Sequence, residues 1–127
     1  MKISQETYNR LIRYKKNKYR NVVVNYDDKK FDSKKERNRY IELKKLEGFG
    51  IIKDLKTQVP FLLIDTIKYK GKTYRKTFYY ADFTYILDGK LIVEDVKSEI
   101  TRKDSVYRLK IKMLLDKYKN IDFREKL

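Results

Sequence analysis

The pattern of apolar and polar positions divides the chain into segments of strand period and segments of helix period. Within Ile51–Ile64 every second residue from Leu55 to Leu63 is apolar or Thr, which predicts a strand with one buried face. Pro60 within it indicates an edge strand or a bend, because proline cannot donate a backbone hydrogen bond. Aromatic and β-branched residues on both sides of Asp88-Gly89 predict a hairpin with a type I′ turn. Its strands are Thr77–Leu87 and Lys90–Lys97, and shorter strands are predicted at Val22–Tyr26 and Ile121–Phe123.

Three segments show the period of a helix. Residues 4–16 form a short one, and Ser33–Glu47 a stronger one that ends at the glycines after it. Residues 103–119 carry an apolar stripe, and Thr101 and Asp104 around its start are typical of a capping box. The predicted order is helix, strand, helix, three strands, helix, strand. This order predicts an α/β (α+β) domain in which helices pack on a mixed sheet.

Length and composition are those of one folded domain. The 127 residues fit a single domain over 1–127, with a basic N-terminal helical segment at residues 1–21. Hydrophobic residues make up 41%, so the chain is not composed like a disordered one. No apolar run reaches membrane-spanning length and no signal peptide is evident, so we expect a soluble cytoplasmic protein. At this size dimerisation would add stability, and a homodimer is one expected assembly.

The charge balance predicts a polyanionic partner. Lys and Arg number 33 against 18 Asp and Glu, a net charge of +15. Such an excess is typical of proteins that bind nucleic acid or an acidic membrane surface, and the 12 Tyr and 6 Phe among the cations favour nucleic acid. The alternatives are codon bias from an AT-rich genome and simple solubility. Two basic clusters are candidate DNA contacts: Lys15, Lys16, Lys18 and Arg20 near the N-terminus, and Lys70, Lys72, Arg75 and Lys76 in a predicted basic turn at 68–76.

Two absences restrict the chemistry. The chain has no Cys, which excludes disulfides, zinc knuckles and thiol nucleophiles. It also has no His, which excludes histidine general bases and histidine-bound metals. An enzyme with this composition depends on carboxylates, Lys, Tyr, Ser or Thr. Carboxylates that bind Mg²⁺ are the leading option.

The predicted hairpin brings two carboxylates together. If Asp88-Gly89 is a two-residue turn, Asp82 lies directly opposite Asp95, with Cβ atoms about 4.5–5.5 Å apart. By the same count Tyr80 faces Lys97, which shares the face of Asp95. Opposed like charges destabilise a sheet, and a divalent cation between them would remove that conflict. The alternative is a solvated sheet end whose charges Lys97 neutralises.

Glu36 is the third candidate carboxylate. It lies in the first turn of the predicted helix and shares its stripe with Tyr40 and Leu43, so it points to the buried side. From there it could reach a sheet end. The alternative is local: Ser33-Lys34-Lys35-Glu36 matches a capping box, in which Glu36 only closes the helix start.

These residues resemble the signature of the PD-(D/E)XK nuclease superfamily, and more closely that of small phage proteins with a Holliday-junction-resolvase-like nuclease domain. The resemblance covers most of residues 19–118. It implies a restriction-endonuclease-like core, with a central mixed sheet of about four strands flanked by helices, and dependence on Mg²⁺ (or Mn²⁺). It also implies metal-binding roles for Asp82, Asp95 and Glu36, and a catalytic role for Lys97. The matching stretches are FDSKKERNRYIELKKLE (31–47), Ile51–Phe61 with Gln58, YYADFTYILDG (79–89), VEDVKS (93–98) and the helix from Tyr107 to Tyr118.

The sequence departs from the superfamily pattern at one position and is ambiguous at another. Ala81 stands where the name of the superfamily has Pro. Glu94 could be taken for the acid of the second half-motif, but alternation along a strand puts it on the face opposite Lys97, which favours Asp95. Gln58 is a candidate supporting residue, although glutamine on a strand is more often only a surface residue.

The function expected from these features is Mg²⁺-dependent hydrolysis of DNA phosphodiester bonds. Branched DNA is a reasonable substrate by analogy with phage junction resolvases, and such an enzyme would act as a homodimer because two sites must cut two strands. Two other functions remain open. One is a non-catalytic nucleic-acid-binding module on a nuclease fold, and the other is a phage regulatory or anti-defence protein that binds a host partner.

Overall fold

The computed structural model describes residues 23–126. They fall into two compact units, which divide within helix α1 after Glu42. The predicted helix at residues 4–16 and the basic segment at 15–21 lie outside the described residues. In chain order the elements are β1 (Val24–Tyr26), β2 (Lys29–Phe31), α1 (Lys34–Gly48), β3 (Lys53–Ile64), β4 (Ile67–Tyr69), β5 (Lys72–Tyr74), β6 (Thr77–Leu87), β7 (Lys90–Val96), α2 (Glu99–Arg102), α3 (Ser105–Lys117) and β8 (Ile121–Lys126).

The first unit contains the β1–β2 hairpin and the beginning of α1. Asp27 and Asp28 turn the hairpin with φ values of 53° and 58°, the left-handed region that a type I′ turn requires. Tyr40 of α1 is buried, and its ring centroid lies 5.2 Å from that of Phe31 and 6.1 Å from that of Tyr26. Its hydroxyl donates a 2.9 Å hydrogen bond to Asp27. These contacts hold the hairpin against the helix within this unit.

The second unit is built on a mixed four-stranded sheet, as the sequence predicts. The strand order is β3-β6-β7-β8, with β7 and β8 parallel and the other two pairs antiparallel. Pro60 lies in β3, which is an edge strand as predicted. The basic segment at 68–76 is not a simple turn, because it includes most of a separate two-stranded hairpin formed by β4 and β5.

The predicted tight turn between β6 and β7 is confirmed. Asp88 and Gly89 have φ values of 51° and 77°, and Leu87 pairs with Lys90. Both central residues of a type I′ turn need positive φ, which Asp tolerates and Gly adopts freely. The turn therefore fixes the register of the whole β6–β7 ladder.

The prediction of one helix over 103–119 capped by Thr101 and Asp104 is wrong at its start. Asp104 is itself the N-cap of α3 and accepts hydrogen bonds from the backbone N–H groups of Val106 and Tyr107. Before it, Ser98 caps the separate short helix α2 and accepts from the N–H of Thr101. Asp104 is in extended conformation, which interrupts the helix.

Helix α3 packs on one face of the sheet and supplies the main core of the second unit. Leu114 is fully buried there, so its replacement by Ala would cost about 2–5 kcal/mol. The hydroxyl of Tyr118, at the end of α3, donates to the carbonyl of Leu62 in β3. No described helix is long and apolar enough to cross a membrane. The buried residues of this core are Phe61, Leu63, Tyr79, Ala81, Val93, Ile111 and Leu114.

Candidate functional site

An irregularity in β6 shapes the candidate site. Pairing between β6 and β7 begins with Leu87 opposite Lys90 and ends with Phe83 opposite Glu94, although both strands continue beyond that pair. Val93 is paired with Thr84, so the two side chains lie on the same face of the sheet. Val93 also packs in the core under α3 with Ala81, which is three residues from Thr84 and would point to the opposite face in a regular strand. Side-chain alternation in β6 therefore changes phase between Ala81 and Thr84, as it does at a β-bulge. Asp82 lies at this change.

Where the regular β6–β7 ladder ends, the side chain of Asp82 accepts a hydrogen bond from the backbone of β7. Its Oδ2 accepts a 2.9 Å hydrogen bond from the backbone N–H of Val96, and its Oδ1 accepts one of 3.2 Å from Nε2 of Gln58. Asp82 is 9% exposed. These two donors fix the carboxylate at the end of β7, immediately beside Asp95. The two carboxylates are neighbours, as the sequence predicts, but Asp82 is not paired directly opposite Asp95, because the paired residues end at Phe83 and Glu94.

Asp95 is fully buried, and its two oxygens have different surroundings. Oδ2 accepts a 2.7 Å hydrogen bond from the hydroxyl of Tyr79. Oδ1 has no hydrogen-bond partner and lies 3.4 Å from Nζ of Lys97. A buried carboxylate oxygen without a hydrogen bond is costly, so its presence is a reason to look for a ligand. Of the adjacent residues Tyr79 and Tyr80 in β6, it is Tyr79 that contacts Asp95. Tyr80, which the sequence predicts to face Lys97, is 49% exposed.

The proximity of the two carboxylates is visible in their electrostatics. Burial and the neighbouring carboxylate of Asp82 together raise the pKa of Asp95 to about 8, against the opposing effects of Lys97 and Tyr79. Burial and the charge of Asp95 also raise the pKa of Tyr79, so its hydroxyl stays protonated and remains a donor. A cation at this pair would relieve the repulsion that Asp82 and Asp95 share.

The donor set fits a hard divalent cation. Asp82 and Asp95 supply carboxylate oxygens, which are the ligands that Mg²⁺ prefers, and Oδ1 of Asp95 is without a donor. Among the described residues 43–126 of the second unit, these two carboxylates form a pair, and no group of three or more Asp, Glu, His or Cys side chains is placed to hold a metal. The second unit alone therefore presents two of the three predicted ligands.

Glu36 belongs to the first unit, where it takes part in the helix start. Oγ of Ser33 accepts a 3.1 Å hydrogen bond from the N–H of Glu36, and Oε2 of Glu36 accepts one of 3.3 Å from the N–H of Asp32. These bonds support the capping interpretation, with the Glu36 carboxylate one residue out of register from a regular capping box. Glu36 is 5% exposed. Its role as a metal ligand stays a prediction.

Glu94, the other candidate acid, lies on the opposite face of β7. It is fully buried, and one carboxylate oxygen accepts a 2.7 Å hydrogen bond from the hydroxyl of Tyr85. Successive strand residues point to opposite faces, so Glu94 does not share the surroundings of Asp95 and Lys97. This arrangement supports the choice of Asp95 as the acid of the second half-motif.

The ammonium group of Lys97 lies between a carboxylate and an aromatic ring. Besides Asp95, its Nζ lies 4.9 Å from the ring centroid of Tyr107 on α3, a cation–π distance. Burial and the charge of Asp95 raise the pKa of Tyr107. Sequence analysis places Tyr107 only on an apolar helix stripe and overlooks Tyr79, because period-two counting through Asp82 selects Tyr80 instead.

The predicted DNA contacts lie partly outside the described residues. Lys15, Lys16, Lys18 and Arg20 are in that part of the chain. Lys70 and Lys72 are exposed on the β4–β5 hairpin, with their Nζ atoms 5.4 Å and 5.1 Å from the ring centroids of Tyr69 and Tyr74. Arg75 and Lys76 are exposed between β5 and β6. The hairpin thus presents cations and aromatic rings together on an exposed element.

Fold and site together define an α+β protein with a mixed four-stranded sheet and a buried pair of aspartates beside a lysine. The chain belongs to the family described as protein of unknown function (DUF1064), whose model matches residues 16–125. No curated protein and no solved structure matches the chain.

Proposed function

We propose that this protein is a Mg²⁺-dependent endonuclease that hydrolyses phosphodiester bonds of DNA on a restriction-endonuclease-like core of the PD-(D/E)XK type. The observation that carries the proposal is the buried Asp95, which neighbours Asp82 and whose Oδ1 lacks a hydrogen bond and lies 3.4 Å from Nζ of Lys97. Keeping two adjacent buried carboxylates ionised is costly, and the single charge of Lys97 offsets only part of the repulsion between them. A structural or purely binding role would not require that cost.

Asp82 and Asp95 would hold the Mg²⁺ (or Mn²⁺), with Glu36 as the third carboxylate. When bound, the metal polarises the phosphoryl oxygens and lowers the pKa of a bound water. The hydrogen bonds from Gln58 and Val96 hold the Asp82 carboxylate in place, and the one from Tyr79 orients Asp95. Such supporting partners are typical of carboxylates that bind metal ions.

Lys97 supplies a fixed positive charge next to the carboxylate pair. Its side chain is only 16% exposed, and both Asp95 and the Tyr107 ring hold its ammonium group. A cation fixed in this way can orient the attacking water and stabilise the charge that develops on the phosphorane oxygens. No histidine is needed for either task.

The partner we propose is DNA. The net charge of +15 and the exposed cations and tyrosines of the β4–β5 hairpin suit a phosphate backbone with accessible bases. Branched DNA of the junction type is the substrate we would test first, on the resemblance to phage resolvases. A homodimer would then place two sites on two strands.

One observation favours a second candidate, a non-catalytic nucleic-acid-binding module. Within the described residues 43–126, the candidate metal site has two carboxylates, and no third one lies close enough to bind the same ion. A protein that kept the fold for binding alone would tolerate the loss of one metal ligand. The two proposals differ in one outcome, because only the nuclease requires a divalent cation to act on DNA.

A cleavage assay tests the proposal directly. Labelled single-stranded, duplex, flap and four-way-junction DNA would be incubated with the protein in Mg²⁺, in Mn²⁺ and in EDTA. We expect metal-dependent cutting that Asp95→Asn abolishes and that Asp116→Asn retains, since Asp116 is an exposed acid on α3. The absence of cutting on every substrate, with DNA binding intact, would favour the binding module.

The lysine provides an independent arm of the same test. Lys97→Ala and Asp82→Ala are each expected to abolish cleavage while leaving folding and DNA binding largely intact. Lys90→Ala removes the same charge from the exposed β6–β7 turn and serves as the control. Full activity of both site variants would overturn the site assignment.

A further inference from the structure

A pocket of about 690 Å³ lies beside the candidate site in the second unit. It is formed by the end of α2, one side of α3 and the end of β8. Four cations line it, two from the end of α2 and its cap and two from α3, together with one carboxylate from β8. The charged residues are Arg102, Lys103, Arg108, Lys112 and Glu125.

Most of this positive charge is not neutralised. The carboxylate of Glu125 lies 3.7 Å from Nε of Arg102, whereas Arg108 and Lys112 make no ion pair with any residue in the range 23–126. Arg108 and Lys112 are four residues apart on α3, so their side chains leave the same side of the helix. Both are exposed, and their charges are available to a ligand.

Tyr107 connects this pocket to the candidate site. It lines the pocket, and its ring lies under the Nζ of Lys97, which in turn lies 3.4 Å from Asp95. A ligand in the pocket would therefore share Tyr107 with the lysine that we propose acts on the scissile phosphate.

We infer that this pocket is a subsite for one nucleotide of the nucleic-acid strand, next to the nucleotide whose phosphate reaches Asp82 and Asp95. The inference rests on the proposed function. Arg108 and Lys112 hold the nucleotide's phosphate, since guanidinium and ammonium groups are the usual phosphate donors. Tyr107 provides an aromatic surface for its sugar or base. The volume lies within the range of about 300–1,000 Å³ that is typical of small-molecule sites.

An acidic peptide fits the pocket less well than a nucleic-acid strand does. Phosphates follow each other along a strand at a short, fixed repeat, so a strand held at the aspartate pair must present its neighbouring phosphates close by. The pocket supplies cations on that side of the site and an aromatic ring between the two positions. A peptide has no reason to require this spacing from Asp95.

The test compares two double variants of the full chain that remove the same charge. Arg108→Gln/Lys112→Gln changes the pocket, and glutamine keeps the helix propensity of α3. Lys53→Gln/Lys90→Gln is the matched control, because both lysines are exposed near the β6–β7 turn, at the opposite end of the ladder from Asp95. Fluorescence anisotropy with labelled duplex DNA in EDTA measures binding without cleavage, and labelled polyglutamate serves as the acidic-peptide probe.

We expect the pocket variant to lose about tenfold in DNA affinity and to lower the slope of log affinity against log salt by about 1–2, with little change for the control. Equal losses in the two variants would mean that only net charge matters and would overturn the subsite. An equal loss of polyglutamate binding would overturn it in favour of an acidic protein partner.

The outcome is separable from that of the proposed nuclease. Metal-dependent cleavage by the unmodified chain, together with unchanged DNA affinity of the pocket variant, would overturn the subsite and leave the nuclease in place. Selective loss of DNA binding in the pocket variant of a chain that cuts no substrate would support the subsite as a nucleotide-binding site and overturn the nuclease.

Discussion

The hydroxyl of Tyr79 donates a 2.7 Å hydrogen bond to Oδ2 of Asp95, and both side chains are buried. This bond occupies one carboxylate oxygen and leaves the other, Oδ1, beside Lys97. On the opposite face of β7, Tyr85 makes a bond of the same length to Glu94. The two faces of one strand thus carry matching tyrosine–carboxylate pairs, of which only one lies at the candidate site.

Tyr79→Phe is expected to weaken Mg²⁺ binding about tenfold, because the Asp95 carboxylate loses the donor that orients it. The ring and its packing remain, so the protein should stay folded. Isothermal titration with Mg²⁺ or Mn²⁺ measures the change. Tyr85→Phe is the matched control, since it removes the equivalent bond to Glu94. An equal loss of metal affinity in both variants would mean that the bond to Asp95 has only a structural role.

Asp95→Asn is expected to stabilise the metal-free protein at alkaline pH. The pKa of Asp95 is raised from 3.8 to about 8, so the stability that its protonated form contributes is complete below pH 3.8 and is lost as the pH rises through about 8. Asparagine does not ionise and avoids that loss. In EDTA, the difference in unfolding free energy between the variant and the parent should therefore grow between pH 5 and pH 9.

Thermal or urea unfolding across this pH range measures the difference, with Asp116→Asn as the control for removing one carboxylate. Excess Mg²⁺ at pH 8 should reverse the order, since it stabilises only the chain that binds it. A difference between Asp95→Asn and the parent that does not change with pH would contradict the electrostatic account of the pair.

The sequence predicts the β6–β7 hairpin well because its turn is a local property. Asp88 and Gly89 fix the register through their own backbone preferences, whatever the rest of the chain does. The change of phase in the side-chain alternation of β6 at Asp82 is not a local property of this kind. It occurs where Asp82 accepts hydrogen bonds from Gln58 and Val96, which lie 24 and 14 positions away along the chain. Counting alternate residues cannot anticipate such a change, and it therefore selects Tyr80 where the structure has Tyr79.

The sequence does not indicate the break between α2 and α3, for a related reason. Asp104 can serve either as the N3 residue of a capping box or as an N-cap, and its identity alone does not distinguish the two roles. Glu36 shows the limit most clearly. The residue type, the helix position and the burial were all predictable, yet its described bonds are local ones at the helix start.

Gln58→Gly separates backbone strain from function at the edge of the site. Gln58 has a φ of 51°, a left-handed conformation that costs a residue with a side chain about 1–2 kcal/mol. Glycine removes that cost but also the hydrogen bond to Asp82. We therefore expect equal or higher stability together with weaker Mg²⁺ binding and slower cleavage.

Asp54→Gly is the matched control, because Asp54 lies in the same strand with a φ of 55°. It should gain stability without any change in metal affinity. Unfolding free energies and Mg²⁺ titrations of the two variants make the comparison. Unimpaired metal binding by Gln58→Gly would show that Asp82 does not need its amide donor.

The β4–β5 hairpin should contribute to DNA affinity through charge. Lys70→Gln/Lys72→Gln removes two exposed cations, so fewer counterions are released from DNA on binding. The slope of log affinity against log salt is then expected to fall by up to about 2, and the affinity at low salt should fall with it. Anisotropy titrations of duplex DNA at several salt concentrations provide the measurement. Lys29→Gln/Lys30→Gln changes the β1–β2 hairpin in the same way, and an identical loss there would mean that the position of the charge does not matter.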